Sequence, residues 1–205
     1  MRQDAEYYRR AWAESGEKCA RAMRSLGRWH FYRQEYREAI DCFYKSFEIN
    51  RLRSGDWFTC GCAHMRLEEM GKAIFAFGNV VSIDESQVEA WGNIANCYAV
   101  QLKFTEALAC TEQALKFNRK HWKIWHNCIR FSIASKNFYK GVNCVNMLLK
   151  NDQFEGLNGH LLVKLTEIFL AKYTEEAGMT RKEADRHKGF LYRFFKDFTN
   201  CVNDY

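Results

Sequence analysis

Cys60, Cys62 and His64 supply two thiols and an imidazole within five residues, a donor set of the kind that holds zinc. On a helix, however, residues two apart project about 200° from one another, so both thiols cannot close on one ion. Cys60 and His64 do share a face, but that face belongs to the packed side of the segment, where a free cysteine acts as a small apolar group. His121 and His126 lie five apart with no carboxylate or cysteine beside them, which assigns them to packing or surface roles. There is no glycine-rich phosphate loop, no Gly-x-Ser-x-Gly elbow and no His-Glu-x-x-His pair. The sequence therefore carries no enzyme signature, and neither a cofactor nor a metal is expected. What remains is a cationic row, Arg21, Arg24 and Arg28, close to Trp29, Phe31 and Tyr32. Such a row suits carboxylates, or the backbone and bases of a single-stranded nucleic acid.

The elements that must position this row are helical. Proline is absent, so neither helix breakers nor proline-marked linkers divide the 205 residues. Aromatic residues make up 16%, suiting helices that bury a face on both sides. No apolar run approaches the roughly 18 residues that span a bilayer, and the first residues have no signal-peptide core. Most of the nine cysteines fall on apolar helical stripes rather than bracketing loops, which points to a reducing compartment. A soluble protein of the cytoplasm, and also of the nucleus, is expected, without membrane partners. The net charge of +6 is uneven: residues 1–53 carry 12 positive and 8 negative groups, 54–121 carry 6 and 8, and 122–205 carry 13 and 9. Basic ends around an acidic middle favour acidic partners, yet fall short of the continuous basic stripe of a dedicated nucleic-acid binder.

Trp57, Trp91 and Trp125 stand 34 residues apart. Aligned on them, the chain divides without insertion into units 20–53, 54–87, 88–121 and 122–155. Small residues recur at positions 8 and 20 of a unit (Gly27 and Ala39, Gly61 and Ala73, Ala95 and Ala107), and aromatic residues at positions 4, 11 and 24 in much of the array. The spacing predicts two helices per unit, with the small residues where the first meets the second. The fourth unit departs from this, with Ile129 at position 8, Gly141 at position 20 and Ser132 at position 11, an exchange of volume between facing helices. This pattern resembles the tetratricopeptide repeat, without its terminal proline: Arg51, Glu85, Arg119 and Gln153 stand there, so the turns fall to residues such as Asn50 and Asp84. The resemblance implies an all-α, right-handed superhelix of antiparallel helix pairs. Residues 1–19 contain a lone amphipathic helix with Tyr8, Ala11 and Trp12 on its apolar stripe, in the place of the trailing helix of a preceding repeat. An array opening on half a repeat is expected of a fragment of a larger chain. Residues 156–205 read as a two-helix extension, capping or degenerate, with a capping-box start at Thr180; residues 175–205 match nothing further.

The runs Ala11-Trp12-Ala13-Glu14-Ser15, Ala20-Arg21-Ala22-Met23-Arg24-Ser25-Leu26-Gly27, Trp57-Phe58-Thr59-Cys60-Gly61-Cys62-Ala63 and His121-Trp122-Lys123-Ile124-Trp125 are similar to the repeat region of the tetratricopeptide repeat protein 27 family. The resemblance extends over about residues 11–170 and includes the unusual fourth unit. It implies a role in assembly of intracellular protein complexes, linked to chaperone-assisted assembly of U5 spliceosomal particles.

In such arrays the first helix of each unit lines a concave groove with positions 2, 5, 9 and 12. Here the residues expected to meet a partner there, with Asn93 added from position 6, are Arg21, Arg24, Arg28, Phe31, Phe58, Met65, Asn93, Asn96, Lys123, His126 and Arg130. Arginines would take carboxylates, the asparagines a peptide backbone, and Phe58 and Met65 an apolar side chain. The alternative is a solvated face on which the arginines answer Glu17. The carboxylate clamp by which some tetratricopeptide domains hold chaperone tails is not reproduced: one register gives Arg24, Arg28, Thr59, Glu89 and Asn93, the next Phe58, Cys62, Asn93, Lys123 and Asn127. The expected function is a non-enzymatic protein-binding scaffold for proteins or peptides with acidic groups; an RNA-binding helical repeat is the rival.

Overall fold

The computed structural model describes residues 2–150 together with His160, Lys164 and Glu167. Apart from those three helical positions, residues 151–205, and with them the expected two-helix extension, lie outside the described residues. Nine helices occur among the described residues: α1 (Arg2–Glu14), α2 (Ala20–Tyr32), α3 (Tyr36–Ile49), α4 (Ser54–Arg66), α5 (Met70–Ile83), α6 (Val88–Val100), α7 (Phe104–Phe117), α8 (Trp122–Ala134) and α9 (Phe138–Lys150). The helices at even numbers begin 34 residues apart, and so do those at odd numbers from α3 onward. The even ones are called A helices and the odd ones B helices below.

A three-residue turn joins each A helix to its B helix, and its backbone repeats with the same period. Gln34, Glu68, Leu102 and Lys136 all take the left-handed conformation, with φ between 55° and 64°. Each A helix ends in a Schellman motif: Gln34 N donates to Phe31 O and Glu35 N to His30 O, and Glu68, Glu69, Leu102, Lys103, Lys136 and Asn137 repeat the pair. The helix ends thus satisfy their last carbonyls without the glycine that usually fills this position.

The turn from B back to A is closed by side chains. Asn50, Asp84 and Asn118 each accept a bond from the backbone N–H two residues on, at 3.0 Å. The indole N–H of Trp57, Trp91 and Trp125 then donates to the carbonyl of Arg51, Glu85 and Arg119, at 2.9, 3.0 and 2.7 Å. These are the positions where the proline of the repeat pattern is missing. A ring that cannot fix φ there is replaced by two hydrogen bonds that fix the same turn.

The chain divides into two compact units, residues 1–103 and 104–205. In the first, α1 to α6 pack in sequence, each on the next, and α2 also touches α4. Short turns between neighbours make the packed helices antiparallel. Phe43 and Phe77 are fully buried between the A and B helices. A Cβ placed on Gly27 would stand 3.1 Å from the Phe43 ring, and one on Gly61 would stand 2.8 Å from the Phe77 ring, so the close A to B approach depends on these glycines. Trp57 stacks on Phe47, ring centroids 3.6 Å apart. The lone helix α1 buries Ala5 and lays Tyr8 and Trp12 against Met23, Leu26 and Cys42. In the second unit, α7 packs on α8 and α8 on α9. Ile129 and Gly141, the residues of the expected volume exchange, are both buried there.

Candidate functional site

Arg21, Arg24, Arg28 and Phe31 recur along α2 at spacings of three, four and three, which places them on one face. Asp56, in the first turn of α4, has a fully buried carboxylate. Arg28 Nη2 donates to its Oδ1 at 2.7 Å, Arg24 Nε lies 3.3 Å from Oδ2, and Arg53 Nε lies 3.6 Å from the same oxygen. The arginines therefore do not answer Glu17, the neighbour weighed from sequence; they converge on a residue 28 and 32 positions further on. Arg24 is mostly covered, its side chain 15% exposed, whereas Arg28 and Arg53 keep 49% and 54%. Three guanidinium groups around one carboxylate leave the cluster cationic. Arg53 and Asp56 went unrecognised in the sequence; the signal for them is that position 3 of one A helix faces positions 5 and 9 of the A helix before it.

The apolar part of the face lies on α4. Phe58 is half-buried, its ring edge-on to Phe77 at 5.4 Å. It lines a shallow cleft with Ser54, Gly55, Val80, Gln87 and Glu89, which joins the start of α4 to the start of α6. Met65 is half-buried on the same side of α4, seven residues on. Asn93 and Asn96 are half-buried on α6. Phe31 packs edge-on against Tyr36 at 5.6 Å, and Arg21 lines a separate cleft with Tyr7, Tyr8 and Cys19 between α1 and α2. The structure thus brings Arg24 and Arg28 together on Asp56, places Phe58 in a cleft on the side of α4 that runs toward α6, and sets Arg21 in the cleft between α1 and α2.

In the second unit, Lys123, His126 and Arg130 follow one face of α8. Lys123 Nζ lies 5.7 Å from the centre of the Trp122 ring, and Arg130 donates to Asn127 Oδ1 at 3.5 Å. Burial, with Arg130 nearby, holds the His126 imidazole below its ordinary pKa. That keeps it neutral across more of the physiological range.

The residues that first suggested chemistry are occupied in packing. Cys60 is fully buried, and burial pushes its thiol up to about 12. His64 Nδ1 lies 2.7 Å from Glu69 Oε2, and the ionised carboxylate can only accept, so this nitrogen carries the proton. His30 and Glu35 repeat the arrangement at 2.6 Å. Cys128 and Cys144, both buried on facing sides of α8 and α9 with Cα atoms 6.5 Å apart, bring their sulfurs together, a pairing the sequence did not single out. Among the described residues, no group of three or more His, Cys, Asp or Glu is placed to hold a metal ion, and no helix is long and apolar enough to cross a membrane.

The family model for the tetratricopeptide repeat matches residues 88–121. The tetratricopeptide repeat protein 27 homolog of Dictyostelium discoideum is 35% identical over 146 residues, 71% of this chain and 17% of that protein. A tetratricopeptide repeat-containing protein of Caenorhabditis elegans is 26% identical over 170 residues, 83% of this chain and 22% of that protein. The chain thus spans about a fifth of the length of these relatives. Among solved structures, MamA superposes with a TM-score of 0.66 at 12% identity, over 74% of this chain and 88% of MamA. YrrB, described as a TPR protein with an unusual peptide-binding site, gives 0.63 at 20% identity, over 72% and 75%. The first TPR of Spaghetti (RPAP3), bound to the HSP90 peptide SRMEEVD, gives 0.53 at 21% identity, over 57% and 92%.

Proposed function

Because the chain belongs to the tetratricopeptide repeat family, we propose that it is a non-catalytic scaffold whose A-helix face in the first unit grips an acidic peptide segment of a partner protein. The observation that carries this reading is the arginine cluster, where Arg28 and Arg53 remain half-exposed after their contacts with Asp56. Guanidinium groups on a helical surface supply charge-assisted, geometrically selective bonds to carboxylates. Toward α6, the cleft at Phe58 offers an apolar seat for another side chain of the same peptide. Peptide binding by YrrB and by the Spaghetti domain supports the same use of the fold. Lys123, His126 and Arg130 form a second partner-facing row, on α8.

RNA, the rival ligand, is disfavoured by a buried carboxylate at the centre of the basic face, which breaks a backbone-tracking row of cations. Complex assembly, with U5 spliceosomal particles as the specific instance, is the setting that the resemblance to the tetratricopeptide repeat protein 27 family implies for such a scaffold. The cytoplasm, with the nucleus beside it, is the compartment this role requires.

The test is a titration of a short fluorescein-labelled, glutamate-rich peptide, its glutamine counterpart and a labelled single-stranded RNA, at low and high salt. Selective binding of the glutamate peptide, weakened about tenfold or more by Arg28→Glu, is the expected result. Equal affinity for the glutamate and glutamine peptides, or a preference for RNA, would overturn the reading.

A further inference from the structure

The arginine cluster contains its own buried acid, and that acid bears on selectivity. Each guanidinium brings about five N–H donors, while a carboxylate offers about four acceptor sites, so Asp56 cannot use what Arg24, Arg28 and Arg53 present. The contacts to Asp56 run through Nη2 of Arg28 and Nε of Arg24 and Arg53. The other nitrogens of Arg28 and Arg53 belong to side chains about half-exposed. Long cationic side chains are otherwise free to sweep several rotamers, and ordering them opposes binding. A carboxylate fixed in the first turn of α4 restrains Arg28 through a hydrogen bond of 2.7 Å and draws Arg24 and Arg53 by charge at 3.3 and 3.6 Å, before a ligand arrives.

We propose that Asp56 is a positioning residue for a single-carboxylate subsite: it orients Arg28 and Arg53 so that one side-chain or terminal carboxylate of an acidic peptide completes a cluster of three guanidiniums and two carboxylates. The proposal rests on the acidic-peptide reading above. Its partner chemistry follows from charge, since the cluster without ligand carries two net positive charges and with one carboxylate carries one. Asp56 also sets an upper limit. A polyanion would bring further negative charge against the buried acid, so the subsite selects one carboxylate over a dense run of phosphates.

This makes a prediction opposite in sign to simple attraction. Asp56→Asn raises the net charge of the cluster by one, which on Coulomb grounds alone tightens an anionic ligand. Positioning requires the reverse. The experiment measures the anisotropy of the labelled glutamate-rich peptide and its glutamine counterpart with wild type, Asp56→Asn and Arg53→Gln, alongside helical circular dichroism and thermal melting of each protein. The expected result is an approximately tenfold loss of glutamate-peptide affinity in Asp56→Asn, with the glutamine peptide unchanged, so that the ratio between the two probes collapses. A merely structural role would lower both affinities alike, and that outcome overturns the proposal, as does equal or tighter glutamate-peptide binding by a folded Asp56→Asn. Should Asp56→Asn fail to fold, Arg53→Gln decides, because its side chain is half outside the fold: a selective loss of about threefold or more supports the subsite, and unchanged affinity overturns it. Wild type that ignores the glutamate peptide would refute the acidic-peptide reading itself, an outcome separate from these.

Discussion

Gly61→Ala should destabilise the first unit although alanine is the better helix former. Gly61 lies within α4, where replacing glycine by alanine is intrinsically worth about 1 kcal/mol. Its new Cβ, however, would stand 2.8, 2.9 and 3.0 Å from three atoms of the Phe77 ring. Phe77 has no exposed surface, so the ring cannot swing into solvent, and relief must come from separating α4 and α5. Overpacking of this kind costs typically 1–3 kcal/mol, and the clash sits at the tight end, so a net loss of about 1–2 kcal/mol is expected after the helix gain. Gly78, on α5, is the internal control. A Cβ there meets nothing within 4 Å, and Gly78→Ala should stabilise by about 0.5–1 kcal/mol. Gly61→Ala combined with Phe77→Leu should recover part of the loss, since the smaller side chain vacates the ring atoms in question. Urea denaturation followed by far-ultraviolet circular dichroism measures all three. If Gly61→Ala stabilises as Gly78→Ala does, the close packing of glycine on aromatic ring does not hold the helix pair.

Trp91→Phe keeps an aromatic ring but deletes the indole donor to Glu85 O, and should cost about 1 kcal/mol in the same assay, the usual net value of such a bond. Leu102 combines a φ of 60° with 75% exposure, so Leu102→Gly relieves backbone strain while giving up little packing; a gain of up to about 1 kcal/mol is expected in the urea midpoint. Hydrogen bonds from His64 and Lys72 hold the Glu69 carboxyl below its ordinary pKa in the folded state. Its contribution is therefore complete above the unfolded carboxylate pKa and disappears as pH falls through the lower folded value, so wild type should lose stability more steeply than Glu69→Gln between about pH 5 and pH 3. Parallel slopes would show that the pair does not couple to folding.

The period was legible because one residue type, tryptophan, occupies the same structural role three times: its indole bonds back to the turn before its helix. Asn50 and Asp84 were legible as turn formers for the same local reason, their partners lying two residues away. The left-handed turn residues were not. Gln34, Glu68, Leu102 and Lys136 share a conformation but no chemistry, and none is the glycine that normally marks it. In the candidate site, the spacing of Arg24 and Arg28 disclosed a common face, but not what they face. Asp56 reaches them only because successive A helices lie side by side, a relation in the fold that no local pattern contains. The meeting of Cys128 and Cys144 across α8 and α9 likewise depends on which turns of two helices face each other.

The central claim, that a peptide is held on the A-helix face of the first unit, is tested most directly by site-specific photocrosslinking. Phe58 lies in the cleft between the starts of the A helices α4 and α6, whereas Phe75 is 59% exposed on the B helix α5. Replacing each in turn by benzoylphenylalanine places the same reactive ketone at the two positions with little change in shape. Irradiation with the glutamate-rich peptide should give a crosslink from position 58 that Arg28→Glu abolishes, and none from position 75. A crosslink from position 75 alone would place the ligand on the B helices and contradict the account.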